Sequence, residues 1–356
     1  IIAILAGVGI PAVTNAIATG KTAKMRMEVG AIEQAIERYR DKYGDYPPDF
    51  SNWVVVERHY RKIFPRIAEG ELVRLRMLLD EDLTNDTDPN PPATWPPHNG
   101  TRMDRGEALV WTLGGYSNNP LTPFTGPGGP LELVATSASA VVFQMNIDRP
   151  EKLYDFDPER LDFQPIDTAP ISATNRYVSS DGDLFASYAV DEDGAPFVYF
   201  DSRTYRYFDP NPNVLDFNGY GSTDYGFVRP YYSELQVANT SGNNYAIDEA
   251  LGAWQFINPD TFQIIAPGLD GVFGSTPSFE FDTSSSVTFN GQEPVYFQYK
   301  TGRAIAPSTG TNVPGDLLIP GIRAYQESSK FNTLDDFQLD NVASFSRAKL
   351  IDDLEE

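Results

Sequence analysis

The chain has no cysteine and only two histidines, His59 and His98, in 356 residues. The first absence excludes a disulfide framework, a thiolate metal centre and a cysteine nucleophile. The second leaves no convincing Ser-His-Asp order, because His59 falls in a predicted helix and His98 in a proline-rich loop. The G-x-S-x-G elbow, the Gly-rich phosphate loop ending in Lys-Ser/Thr and the H-E-x-x-H zinc helix are missing as well. Positive charge is scarce: 27 Lys and Arg stand against 50 Asp and Glu, for a net charge of -23. The deficit is uneven, since residues 1–49 carry six basic and six acidic side chains, residues 50–176 carry 12 and 18, and residues 177–356 carry 9 and 26. Such a surface repels nucleic acid and anionic lipid, attracts divalent cations and keeps a chain soluble. An enzyme and a nucleic-acid partner are both disfavoured.

What is present is concentrated at the N-terminus. Residues 1–13, IIAILAGVGIPAV, hold no charge, and only Gly7, Gly9 and Pro11 interrupt their apolar character. The segment is shorter than the roughly 20 residues that cross a bilayer and too apolar to stand in water, so a missing upstream part or another chain is expected to complete or cover it. From Lys21 the pattern changes to a helical period, with Met25, Val29, Ile32, Ile36, Tyr39 and Tyr43 at alternating steps of four and three. That stripe predicts one helix with one buried face, stopped by Gly44 and barred by Pro47-Pro48. As the core helix of a soluble protein the stripe is ordinary, but the uncharged head then needs a second full layer around it. GVGIPA also spells G-x-G-x-x-A, yet a dinucleotide site needs a strand before the motif and another after its helix, and here one helix runs through it.

Behind this spine, residues 49–176 read as a helical and Pro/Gly-rich insertion and residues 177–356 as an antiparallel β head. NWVVVERHYRKIFPRIAEGELVRLRMLLDEDL predicts one or two short helices and is the most basic stretch. Residues 84–101 are a Pro- and Asn-rich loop, whose sequons at Asn85 and Asn99, like the one at Asn239, are read as chance. RMDRGEALVWTLGGY predicts a short helix capped by Asp104 and stopped at Gly114-Gly115. Beyond Tyr177, LFASYAV, PFVYFDS, YGFVRPYY, AWQFI, FQIIA and PVYFQY predict strands. RAKLIDDLEE reads as a frayed helix.

The spine, from IIAILAGVGIPAV to AIERYRDKYGDYPPD, resembles the N-terminal helix of type IV pilins and type II secretion pseudopilins, with Pro11 and Tyr46-Pro47 at the family's helix-breaking proline and helix-ending Tyr-Pro. Weaker likeness returns in DGAPFVYFDS, PGLDGVFG and DDFQLDNVASFS, though with long insertions between them. The family's opening phenylalanine and glutamate are absent, as if the chain began inside the helix. The resemblance implies an α+β, pilin-like fold: a long protruding N-terminal helix packed on an antiparallel β-sheet, with large helical and loop insertions. Residues 1–20 form the polymer core, with Ile1, Ile2, Ile4, Leu5, Val8, Ile10, Pro11 and Val13 as assembly residues, and residues 21–43 pack on the head. The implied function is a structural subunit of an extracellular type IV pilus-like filament at the cell surface. The subunit is anchored in the inner membrane beforehand, handled by pilus or secretion machinery and self-associated into a helical homopolymer. A pseudopilin of a type II secretion system and a surface-displayed binding module for glycan or mineral are the alternatives. Local unravelling at Gly7, Gly9 and Pro11 is expected in the assembled state.

The resemblance also implies Ca2+ at a C-terminal loop. The matching positions are Asp270, an aspartate among Asp335, Asp336 and Asp340, the Ser344 hydroxyl and the Pro267 carbonyl. Oxygen ligands on a turn-rich backbone suit a hard cation, but Asp270-Gly271 reads equally as a type I′ turn. Asp191–Gly194, DEDG, begins like an EF-hand loop but lacks the glutamate at its twelfth position, and reads as a hairpin turn.

Overall fold

The computed structural model describes residues 2–79, 103–136, 141–163, 183–191, 194–206, 219–222, 225–237, 252–274, 296–305, 325 and 338–354, with side-chain environments outside 2–12 and 134–142. Helix α1 (Ile2–Tyr43) is followed by α2 (Trp53–Ile63), α3 (Glu69–Leu78) and α4 (Ala108–Leu113). The strands among the described residues are β1 (Leu131–Thr136), β2 (Val141–Met145), β3 (Val198–Asp201), β4 (Tyr220–Ser222), β5 (Gly226–Val228), β6 (Tyr232–Gln236), β7 (Trp254–Phe256), β8 (Phe262–Ala266), β9 (Tyr296–Phe297), β10 (Ala304–Ile305) and β11 (Val342–Ala343).

With 42 residues, α1 is about 63 Å long at the usual rise of an α-helix. It runs as one helix through Gly7, Gly9 and Pro11, so the unravelling expected of an assembled state is not a feature of the single chain. From Thr22 onward one face closes: Thr22, Met25, Val29, Ile32, Ala35, Ile36 and Tyr39 are buried. Tyr43 is half-buried at the end of that stripe. The Gly44 amide donates back to the Arg40 carbonyl at 2.7 Å and the helix stops there.

The stripe lies on a three-stranded antiparallel sheet of order β11-β8-β3, whose strands are short and buried on both faces. Alternation along each strand sorts the side chains. Tyr199, Phe262, Ile264, Ala266 and Val342 join α1 in one core, which also takes Val56 and Tyr60 of α2, Leu72 and Leu75 of α3, and Leu109 and Trp111 of α4. Val198, Phe200, Ile265 and Ala343 face the other way, into a second core with Tyr232, Phe256, Tyr296 and Ile305 from the ribbons β6-β7 and β9-β10. The layers are therefore helices, sheet and hairpins: a mixed α+β fold with a long N-terminal helix and antiparallel sheets.

Local sequence accounts for the smaller elements. Asn52 caps α2 by accepting from the Val54 and Val55 amides at 2.9 and 3.3 Å. Asp104 and Glu107 cap one another's turn: the Asp104 carboxylate accepts from the Glu107 amide at 3.1 Å and the Glu107 carboxylate from the Asp104 amide at 2.7 Å. Three expectations are corrected. LFASYAV forms isolated bridges at Tyr188 and Ala189 rather than a strand, because its neighbours there are single residues of irregular segments. The β1-β2 hairpin lies inside the stretch read as helical and Pro/Gly-rich. The C-terminal tail makes a short 3-10 turn at Leu350–Asp353, tied by the buried Asp353 carboxylate to the Arg347 amide at 2.8 Å.

Where α1, α2 and α4 meet, polar side chains form one buried chain. Trp111 Nε1 donates to Tyr60 Oη at 2.8 Å, Tyr60 and Tyr116 hydroxyls lie 2.9 Å apart, Tyr116 and Tyr39 hydroxyls 3.2 Å apart, and Tyr39 Oη is 2.8 Å from His59 Nε2. His59 Nδ1 then faces the Asp45 carboxylate at 3.5 Å. An indole N–H only donates and a carboxylate only accepts, so the two ends set the polarity: Tyr60 donates to Tyr116, Tyr116 to Tyr39, Tyr39 to His59, and the imidazole carries its proton on Nδ1. Burial acts to raise Asp45, but His59, Arg203 and Lys62 outweigh it and hold the carboxyl well below its ordinary value. Burial pushes His59 down, reinforced by the nearby Arg203 and Lys62, and the Asp45 carboxylate beside the ring only partly offsets this.

Tyr116→Phe interrupts the chain and leaves Tyr60 without its acceptor; we expect a loss of about 1–3 kcal/mol in denaturant unfolding, and a loss under half of that would show the hydroxyls to be independent. His59 also makes stability depend on pH. Because its folded value is depressed, the neutral ring's contribution is present above the unfolded value of about 6.5 and is lost as pH falls through it. The melting temperature of the native protein should drop more between pH 8 and pH 5 than that of His59→Gln. Parallel drops would remove His59 as the cause.

Candidate functional site

Two places bear the residues singled out by sequence. The first is the neck, where α1 leaves the cover of its own head. Val13 and Ile17 are 60% and 57% exposed, and residues 1–20 carry no charged side chain. The hydroxyls of this stretch turn inward: Thr19 donates to the Asn15 carbonyl at 2.9 Å and Thr22 to the Ala18 carbonyl at 3.1 Å. Their hydrogen bonding is thereby satisfied by the helix itself. Of the assembly residues read from sequence, Val13 is placed by its side chain; for Ile2, Ile4, Leu5, Val8, Ile10 and Pro11 the structure gives the helical backbone, and Ile1 lies outside the described residues.

Immediately below, the helix is clamped from several sides. Arg26 donates to the Ser344 carbonyl at 3.2 Å and lies 3.4 Å from the Glu33 carboxylate. Glu28 accepts from Arg160 at 2.6 Å and from the Tyr188 hydroxyl at 2.7 Å, and Arg160 donates onward to the Ala189 carbonyl. These bonds are largely shielded, with Glu28 and Arg160 side chains only 12% and 11% exposed, so they hold more firmly than surface pairs. Lys21 and Asp191, 3.8 Å apart at the surface, add little. The boundary between held and free helix is thus sharp, falling within one turn of Thr22.

The second place is the loop between β8 and the turn at Gly271. The Gly271 amide donates to the Gly268 carbonyl at 3.2 Å, which centres the turn on Leu269 and Asp270 with Gly271, at φ 79°, just beyond it. The type I′ turn read from Asp270-Gly271 is corrected accordingly: Asp270 keeps a negative φ, and only the glycine takes the left-handed conformation. Asp340 fixes this turn from the C-terminal segment. Its carboxylate accepts from the Leu269 amide at 2.7 Å, and a Cβ on Gly268 would fall 2.0 Å from its Cγ. Burial pushes the Asp340 carboxyl above its ordinary value, against the backbone hydrogen bonds that favour the charged form.

Of the oxygens proposed for a cation, Asp340 and the 267–271 loop are brought together. Asp270 is exposed, and its carboxylate accepts from the Val272 amide at 3.1 Å. Pro267 is buried in the same loop. The Ser344 hydroxyl, in contrast, accepts from the Ile264 amide at 3.2 Å and serves the β8-β11 pairing. Asp335 and Asp336 lie outside the described residues. Among the described residues no three acidic or histidine side chains converge on a common point. At the ends of DEDG the Gly194 amide donates to the Asp191 carbonyl at 3.1 Å, between the bridged residues Ala189 and Pro196, as a hairpin turn would have it; Glu192 and Asp193 lie outside the described residues. Glu28 was not singled out by sequence, since one acid on an amphipathic helix carries no signal of a partner 132 residues away.

Among the described residues no helix is long and apolar enough to cross a membrane. Comparison with protein-family models, with curated proteins and with solved structures gave no match to this chain.

Proposed function

We propose that this chain is a structural subunit of an extracellular, type IV pilus-like filament, with residues 1–20 of α1 packed against the same segment of neighbouring copies. The observation that carries this reading is the sharp end of cover at Thr22: residues 13–21 are exposed or half-buried, Val13 and Ile17 stand bare, and the helical backbone continues past them to Ile2. The resemblance of the spine to pilins and pseudopilins agrees with it. Before assembly the same segment sits in the inner membrane. After extraction it exchanges lipid for the helices of other copies, in a heterologous contact that repeats into a helix rather than closing. The clamps at Arg26 and Glu28 keep the head in fixed orientation to the stalk, so the packing of stalks dictates the packing of heads.

Each large apolar side chain buried in such a core contributes about 1.5–3 kcal/mol, and one carboxylate placed there costs several times that. Ile4→Asp or Leu5→Asp should therefore abolish filaments seen by electron microscopy while the melting curve of the head is unchanged. Normal polymers from either variant would refute the reading.

We infer in addition that the 267–271 loop holds Ca2+, with Asp340, Asp270 and the Pro267 carbonyl among its ligands and Asp335 or Asp336 completing the shell. Bound calcium neutralises carboxylates that otherwise repel one another beside the turn. At a hundredfold excess over Kd it stabilises the fold by about 2.7 kcal/mol. The melting temperature should rise with calcium and fall with chelator at matched ionic strength, and Asp270→Ala should not respond. Coincident curves for the native protein would leave Asp340 as a turn anchor alone.

A further inference from the structure

The acidity of the head has one local exception. Residues 53–66 carry Arg58, Arg61, Lys62 and Arg66 against a single acid, Glu57. Arg61 is engaged by Glu57 at 2.8 Å and Glu69 at 2.9 Å, and Lys62 by Asp45 at 3.1 Å. Arg58 and Arg66 are exposed and make no side-chain ion pair or hydrogen bond among the described residues. Val54, 68% exposed, stands one turn before Arg58 on the same face of α2 and gives the patch an apolar point.

The opposite pattern occupies residues 148–159. Asp148, Asp155, Asp157 and Glu159 are exposed there, Asp155 by 81%. The cations of this stretch are already committed. Arg149 is buried, donating to the Trp111 and Gly115 carbonyls at 2.8 and 2.9 Å, and Lys152 is paired with Asp155. No described contact joins this acidic ledge to α2 within one chain.

We propose that the cationic patch of Arg58 on α2 and Arg66 just past its end docks on the 148–159 ledge of a second copy of this chain. The two patches are different surfaces, so the contact is heterologous and leaves the pair with one unused face of each kind. Two copies repel at long range, but at physiological salt that repulsion is screened beyond about 8 Å, whereas pairs in contact are screened much less. A nucleic acid fits less well, since its phosphates continue past the patch and meet the acidic remainder of the head. The contact uses the head alone and does not depend on how the stalk is packed.

The test uses the full chain carrying Leu5→Asp, which removes stalk packing, and follows self-association by sedimentation and light scattering. We expect Arg58→Glu with Arg66→Glu to weaken association about tenfold, and Asp155→Lys with Glu159→Lys to do the same. An equimolar mixture of the two double variants should recover it, because the reversed patches match again. Unchanged melting temperatures would show that the surface changes leave the fold intact, as exposed positions predict. Association indifferent to both reversals, or no recovery on mixing, overturns the proposal. So does an Arg58→Glu/Arg66→Glu protein that self-associates normally but loses binding to phosphatidylglycerol vesicles or duplex DNA, because the patch would then serve a polyanion. Loss of filaments in Leu5→Asp alone, with head association intact, separates this contact from the stalk reading.

Discussion

One face of one helix organises the molecule. Met25, Val29, Ile32, Ile36 and Tyr39 are fully or almost fully buried, and at about 1.5–3 kcal/mol for each large side chain they outweigh any set of surface ion pairs, which are worth about 0–1 kcal/mol each. That face requires an apolar sheet surface opposite it, and β8 supplies Phe262, Ile264 and Ala266. Because side chains alternate along a strand, the same five residues must present Gln263 and Ile265 to the other side. The second core, with its ribbons of aromatic residues, exists to cover that reverse face. Burial of α1 thus propagates through the sheet and dictates a third layer.

Hydrophobic burial fixes only part of how the chain leaves the helix: Tyr46 packs on Phe262, and Pro47 and Pro48 are buried. Polar groups do the rest. Asp45 holds Lys62 and Arg203 at 3.1 Å each, and Asp49, fully buried, accepts from Arg105 at 3.1 Å and from the Thr204 hydroxyl at 2.6 Å. Buried charges stabilise little in net terms once their desolvation is counted. Their effect is selective: an alternative exit would strand Asp49, Arg105 or His59 without partners, at a cost of several kcal/mol for each charge. Among the described residues Arg149 has no carboxylate partner, only carbonyls at the end of α4, and burial lowers its guanidinium to about 10. It remains charged at neutral pH and caps a helix too short to hold itself.

These two kinds of interaction explain what could be read in the chain beforehand. The buried stripe, the stop at Gly44, and the strands at FQIIA and FVYFD were legible because periodicity and turn residues are local signals. The β1-β2 hairpin was not, since LELVAT and VVFQM are joined by small residues, without the Asn-Gly or Asp-Gly that marks a tight turn. The chain from Trp111 to Asp45 was invisible for another reason: its members come from four separate segments, and each alone is an ordinary aromatic or polar residue. The loop site was half legible. Sequence pointed to Asp270 and to an aspartate among Asp335, Asp336 and Asp340, but it took the packing of Gly268 against Asp340 to show that the latter carboxylate also anchors the Leu269 amide.

The charge distribution now has a physical reading that composition alone did not give. A net charge of -23 resists indiscriminate clustering of heads. Yet uniform repulsion would also oppose ordered packing, and under the proposed head-to-head docking Arg58 on α2 and Arg66 just past its end are where that opposition is locally reversed. In the proposed filament, stalk and head contribute different things to assembly. Apolar burial along α1 supplies affinity without direction, since hydrocarbon surfaces slide and rotate on one another at little cost. Placed charges supply register, because mismatched like charges are penalised even where matched pairs gain little. The rigid neck at Arg26 and Glu28 makes the division effective, for only a head held at a fixed angle to its helix can convert a preference between surfaces into a preference between stalk positions.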